Sequence, residues 1–263
     1  MIKLLGLIGS LSLSTSAVTP VLNINLNNKN ITQKTYGNIH IEKAIDLTMS
    51  TFKRSAVPIF SQSSIEHKLV YIRATYGSIS SIYEILNNAP HPSEIVLAKQ
   101  MLLLASEDYD RAARQGQAEV MMHHAQVGLF RLITAFDYMH KANFNINKEQ
   151  GKLGNIHIEK AIDLTMSTFE RSAVPIFSQS SIEHKLVYIR ATYGNISSFY
   201  ELLNNAPHPS EIVLAKQMLL LASEDYDRAA RQGQAEVMMH HAQVGLFRLI
   251  TAFDYMHKAN SVV

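Results

Sequence analysis

The sequence predicts an all-α protein: two tandem, near-identical up-down four-helix bundles behind a signal peptide. Three observations predict it. Apolar residues recur at alternating spacings of three and four. The run Gly37–Asn143 returns almost unchanged as Gly154–Asn260. No stretch shows the period-two alternation of a half-buried strand.

The first element is the leader MIKLLGLIGSLSLSTSA, residues 1–17. Lys3 precedes an apolar run from Leu4 to Leu13, and small residues follow, with Thr15 and Ala17 placed as at a cleavage site. The run is too short to span a bilayer, and no other segment is long and apolar enough to do so. Export is therefore expected. Residues 18–36 are rich in Asn and poor in apolar side chains, so they are expected to be disordered.

The first copy is residues 37–143. Its first helix is expected near Ile39–Arg54, using Ile41, Ile45, Met49 and Phe52. The second carries Ile65, Leu69, Ile72, Tyr76, Ile79, Tyr83 and Leu86, opened by a capping box of Ser63 with Glu66. NNAPHPSE then breaks the chain, with Pro92 near the start of the third helix. That helix uses Ile95, Ala98, Leu102, Ala105, Tyr109 and Ala112, and Gly116 is placed for a left-handed C-cap. The fourth uses Ala118, Met122, Ala125, Leu129, Leu132, Phe136 and Met139, and the short QGQ link makes it the antiparallel neighbour of the third. A polar linker, 144–153, leads to the second copy, 154–263. Over the 107 aligned positions, offset by 117, four differ: Lys53/Glu170, Ser78/Asn195, Ile82/Phe199 and Ile85/Leu202.

The formal net charge is +2, and the excess lies outside the copies. Copy one holds ten Lys/Arg and ten Asp/Glu; copy two holds nine and eleven. No basic face of the kind that nucleic acid requires is present. There is no cysteine, hence no disulfide and no thiolate metal site. Enzyme motifs are missing too: no glycine-rich phosphate loop, no Gly-x-Ser-x-Gly and no His-Glu-x-x-His. A non-catalytic protein is expected. The acidic group Glu107, Asp108 and Asp110 reads as a solvated face paired to Arg111 and Arg114.

All twelve histidines lie in the copies. His123 and His124 diverge by 100° around their helix, so they do not readily share a metal. The candidate ligand pairs are Glu119 with His123 and Asp137 with His140, repeated as Glu236 with His240 and Asp254 with His257. Zinc is the metal such donors would take; no other cofactor is expected. A candidate partner surface is the flank of helix two where the copies differ: Ser78, Ile82 and Ile85, with Asn195, Phe199 and Leu202. Val120, Val127, Phe130 and Tyr138 form an off-seam stripe on helix four, as an interface with the sister copy or another protein would require.

Two resemblances bear on function. The MIKLLGLIGSLSLSTSA leader, with the absence of Cys and Trp and the Asn-, Ile- and Lys-rich linkers, looks like exported proteins of mollicutes of the Spiroplasma type. It implies a secreted or cell-surface location and names no activity. His124-Ala125-Gln126, followed by an apolar helix, resembles the phosphoacceptor helix of lactose/cellobiose-type IIA phosphocarriers, which would make His124 the acceptor. This sequence departs from that family at Val127, where the family carries an acid, and an exported protein would not meet the cytoplasmic donor. The expected function is therefore a secreted or surface-exposed tandem binding protein with a protein or cell-surface partner. The alternatives are a metal- or small-ligand-binding bundle and a structural surface protein.

Overall fold

The computed structural model describes residues 35–90, 92–148, 154–207 and 209–262, and every regular element among them is helical. The leader, the segment 18–34 and linker residues 149–153 lie outside the described residues. None of the described helices is long and apolar enough to cross a membrane.

Helix α1, Thr35–Thr51, buries Ile41, Ala44, Ile45 and Thr48. It starts earlier than the apolar spacing suggests and then changes pitch. Phe52–Ala56 is a π turn closed by Val57 N–H on the Phe52 carbonyl, and Pro58–Ser61 is a 3-10 turn. Pro58 has no N–H to continue an α-helix, so the chain widens before it and tightens after it. Thr48, Thr51 and Ser55 each return their hydroxyl to the carbonyl four residues back, which satisfies polar groups that would otherwise be buried bare.

Helix α2, Ile65–Asn87, is capped by Ser64, whose Oγ accepts the His67 N–H at 3.2 Å. The cap is one residue later than expected. The Glu66 carboxylate instead takes its own backbone N–H and the Ser64 hydroxyl, which hold it below the usual carboxylate range. The buried face of α2 is Ile72, Thr75, Ile79, Ile82 and Leu86. This is rotated from the expected seam: Tyr76 is turned out, and Thr75 is turned in to donate to Ser55 Oγ at 2.9 Å. Helix α3, Ser93–Ala113, buries every expected apolar position. Its last turn closes with i−3 bonds from Arg114 and Gln115, and Gly116 is not left-handed.

Helix α4, Ala118–Lys148, runs five residues beyond Asn143, with Ile146 packed on the core and Asn145 donating to Glu94 at 2.8 Å. It lies antiparallel to α3, since Glu94 meets Asn145, Asp108 meets Arg131 and Tyr109 meets Gly128. The second copy repeats the order: α5 (Ile156–Thr168), a π turn and a 3-10 turn, α6 (Ile182–Asn204), α7 (Ser210–Ala230) and α8 (Ala235–Val262). Within each copy the first helix packs on the second and fourth, and the third packs on both of those, closing a ring of four. The copies also touch. Helix α4 packs on α8 and on the 3-10 turn Pro175–Ser178, while α8 packs on Pro58–Ser61.

The α3/α4 contact is close enough to exclude a methyl group. A Cβ on Gly128 would sit 2.9 Å from Tyr109 Cε2 and 3.2 Å from Asp108 Cβ, whereas one on Gly77 would meet nothing within 4 Å. Gly128→Ala is therefore predicted to lower the unfolding free energy by about 1–3 kcal/mol. Gly77→Ala is predicted to raise it by up to about 1 kcal/mol, because helical alanine loses less backbone entropy. Urea unfolding of the two variants checks both signs.

Candidate functional site

The C-terminal half of α4 is buried nearly all round. Leu132, Ile133, Ala135, Phe136, Asp137, Met139, His140 and Ala142 are all buried, more than one seam accounts for. One face meets its own copy and the other meets α8, which uses the same residues of copy two. The His–Asp contacts and the helix–turn contacts across the seam accordingly occur twice with the roles exchanged. His140 Nε2 lies 3.1 Å from Asp254 Oδ1, and His257 Nε2 lies 3.1 Å from Asp137 Oδ1. The two imidazoles stack with centroids 4.5 Å apart and planes 8° from parallel. Phe136 and Phe253 close the stack edge-on, each 4.6 Å from its imidazole, and Phe60 and Phe177 meet across the seam at 4.4 Å.

The carboxylates are held from two sides. Lys141 Nζ is 2.8 Å from Asp137 Oδ2, and Lys258 Nζ is 2.7 Å from Asp254 Oδ2. Burial by itself would raise both acids, but the partner histidine and the neighbouring lysine outweigh it and keep them below the usual carboxylate range. Burial, with the stacked His257, pushes the His140 imidazole down to about 4. The imidazole N–H groups are not well aligned on the carboxylate oxygens, so these are short polar contacts rather than ideal hydrogen bonds.

Of the candidate ligands, the structure brings Asp137, His140, Asp254 and His257 together, across copies rather than along one helix. Glu119 and His123, like Glu236 and His240, are exposed at the other end of their helices. Among the described residues no three His, Asp or Glu side chains form a group able to hold a metal ion. The four seam donors are two separate pairs.

The helix-two flank is not an outward face. Ile82 and Phe199 are fully buried within their own copies, and Ile85 and Leu202 are half-buried against the core. Asn195 donates to Thr168 Oγ1 at 3.1 Å, a reach that Ser78 is too short to make. The three differences are therefore neighbouring changes in internal packing between the first two helices of a copy. They leave Ile82 and Phe199 unable to meet a partner.

Sequence reasoning also missed Asp108. It is buried, its Oδ2 accepts from Arg131 at 2.7 Å, and burial raises its carboxyl against the pull of that guanidinium. Glu107 and Asp110 make the expected exposed pairs with Arg111 and Arg114. The period could have separated them, because Asp108 sits next to the buried Tyr109 on the core side of α3.

The outward apolar surface lies between the second and third helices of each copy. Ile79, Ser80, Tyr83, Glu84, Leu102, Leu103 and Ser106 line a groove of about 180 Å³. Their counterparts, from Ile196 to Ser223, line one of about 280 Å³. Leu103 and Leu220 stand 52% and 58% exposed. A third cavity, of about 220 Å³, opens at the seam beside His257, lined also by Lys141, Phe144, Glu159, Ile162, Asp163 and Asn260.

No family model, curated protein or solved structure matches the chain.

Asp137 and Asp254 occupy equivalent places, so Asp137→Ala and Asp254→Ala are predicted to destabilise equally, by about 3 kcal/mol, each leaving a buried imidazole without its acceptor. Asp110→Ala, which removes only an exposed pair, is predicted to cost less than about 1 kcal/mol. Urea unfolding at neutral pH compares the three.

Proposed function

We propose that this chain is a secreted or surface-exposed, non-catalytic binding protein, in which two up-down four-helix bundles present the same docking groove twice. The observation that carries this reading is the duplicated groove between the second and third helices, with Leu103 and Leu220 exposed at equivalent places. Isolated exposed leucines are ordinary on a protein surface; here each lines a groove beside Leu102 or Leu219 and an aromatic ring. The leader supports export. The sequence carries no glycine-rich phosphate loop, Gly-x-Ser-x-Gly or His-Glu-x-x-His motif, which favours binding over catalysis. Two grooves at equivalent places in one chain raise the apparent affinity for a repeated or surface-bound target by as much as roughly 10²–10⁴ over either groove used singly.

A second reading is favoured by the crossed His–Asp pairs and the cavity beside them: a small-ligand site at the seam. Elemental analysis of the dialysed chain, with a zinc titration alongside, decides whether metal is that ligand. Stoichiometric metal lost in His140→Ala and His257→Ala would favour the second reading over the first.

The first reading is tested with fluorescent chain on intact cultured cells. Saturable binding is predicted, weakened ten-fold or more by Leu103→Glu or Leu220→Glu and abolished by the double change, with helix content unaltered. Absence of saturable binding, or binding untouched by the double variant, would remove the reading.

A further inference from the structure

We propose that the seam cavity binds one free amino acid, with Glu159 and Asp163 holding its ammonium group, Lys141 and Asn260 its carboxylate, and Phe144 and Ile162 its side chain. The proposal rests on the reading of the seam as a small-ligand site and is independent of the grooves between the second and third helices.

Three elements build the cavity. Helix α4 supplies Lys141 and Phe144, α5 supplies Glu159, Ile162 and Asp163 within about one turn, and α8 supplies Asn260. Gly154, in the left-handed region at φ 73°, lets the ring and a carboxylate come close together. A Cβ there would stand 2.8 Å from Phe144 Cζ and 3.0 Å from Glu159 Oε1. The volume of about 220 Å³ equals the share of roughly seven waters in the liquid, room for a small amino acid.

The polar groups of this cavity are unspent in both senses. The ion pairs of the seam use Asp137 and Asp254, and leave Glu159 and Asp163 without a paired cation among the described residues. Asn260 is only 6% exposed. Its Oδ1 accepts the Asn155 N–H at 2.8 Å, but among the described residues its Nδ2 donates to nothing. Buried N–H groups are costly unless something accepts them. Lys141 gives one bond to Asp137 at 2.8 Å and has two further N–H groups. A simple cation would leave these donors bare, and a simple anion would meet two carboxylates. The start of α5 does not invite an anion either, because Asn155 Oδ1 already takes the His157 and Ile158 N–H groups at 3.0 and 3.4 Å. A zwitterion with an apolar side chain satisfies donors, carboxylates and ring together.

The complete set occurs once per chain. At the other end of the seam the same positions hold Glu42, Ile45, Asp46, Asn143 and Lys258. The residue matching Phe144 is Ser261, whose hydroxyl returns to the His257 carbonyl at 3.0 Å. Phe144 is the first residue past the repeated run, so the duplication makes two seam ends and gives only one an aromatic wall.

Calorimetric titration of the full, dialysed chain with leucine is predicted to show saturable binding of one leucine per chain. Isoamylamine, which lacks the carboxylate, and isocaproate, which lacks the ammonium, are each predicted to bind at least ten-fold more weakly. Glu159→Gln is predicted to weaken leucine ten-fold or more and Phe144→Leu several-fold, with helix content unaltered. Asp163→Asn, a change on an exposed side chain, is predicted to weaken it as well and gives a second reading should Glu159→Gln misfold. Glu42→Gln, the matching change at the other end, is predicted to leave binding as it is. Absence of saturable leucine binding, two leucines per chain, or binding unaltered by both Glu159→Gln and Asp163→Asn would each overturn the proposal. Isoamylamine or zinc bound in place of leucine would also overturn it, while leaving the seam as a small-ligand site.

Discussion

Two imidazoles packed face to face in the middle of the molecule constrain everything around them. A buried polar ring is tolerated only if something accepts its N–H, and a buried carboxylate only if a charge or donor faces it. His140 and Asp254, and His257 and Asp137, come within 3.1 Å of one another, in short polar contacts that are not ideally aligned, only when α4 and α8 lie side by side in one register. Sliding one helix past the other by a turn would strand four polar groups. The crossed pairs thus set how the copies are arranged, and apolar contacts such as Phe60 with Phe177 pack around them.

That arrangement explains features that a lone bundle would not need. Helix α4 serves two cores at once, so its C-terminal half carries apolar residues on nearly every side. Its five extra residues and the Asn145–Glu94 bond extend the antiparallel pairing with α3. The π and 3-10 turns before α2 bring Pro58–Ser61 out of line with α1 and onto the sister copy, where Phe60 meets Phe177. Because the copies are almost identical, the same patch meets itself, as in an isologous interface between two subunits. The seam has the form of an isologous dimer interface closed within one chain.

Three of the four departures between the copies fit this frame. Ser78/Asn195, Ile82/Phe199 and Ile85/Leu202 cluster on the packing face between a copy's first two helices, away from the seam. The paired seam residues Phe60, Phe136, Asp137, His140 and Lys141 have identical counterparts in copy two, and a self-matching surface tolerates change least, since each substitution acts on both sides of the approximate axis when both copies carry it.

Much of this was legible in the sequence. Periodicity alone yields helices throughout, and in α3 every expected buried position is buried, because that helix has one apolar stripe and one partner direction. In α2 the stripe is ambiguous: tyrosines widen it, and packing against Ser55 decides that Thr75 and Ile82 turn inward and Tyr76 outward. The candidate pair Asp137 and His140 was visible as an i, i+3 motif, but its partners were not, for Asp254 and His257 stand 114 and 120 residues away on the matching helix of the second copy. Local pattern determines which face of a helix is apolar and which residues lie beside it. Only tertiary packing decides which two faces meet, because that choice depends on complementarity between surfaces that the chain brings together from far apart.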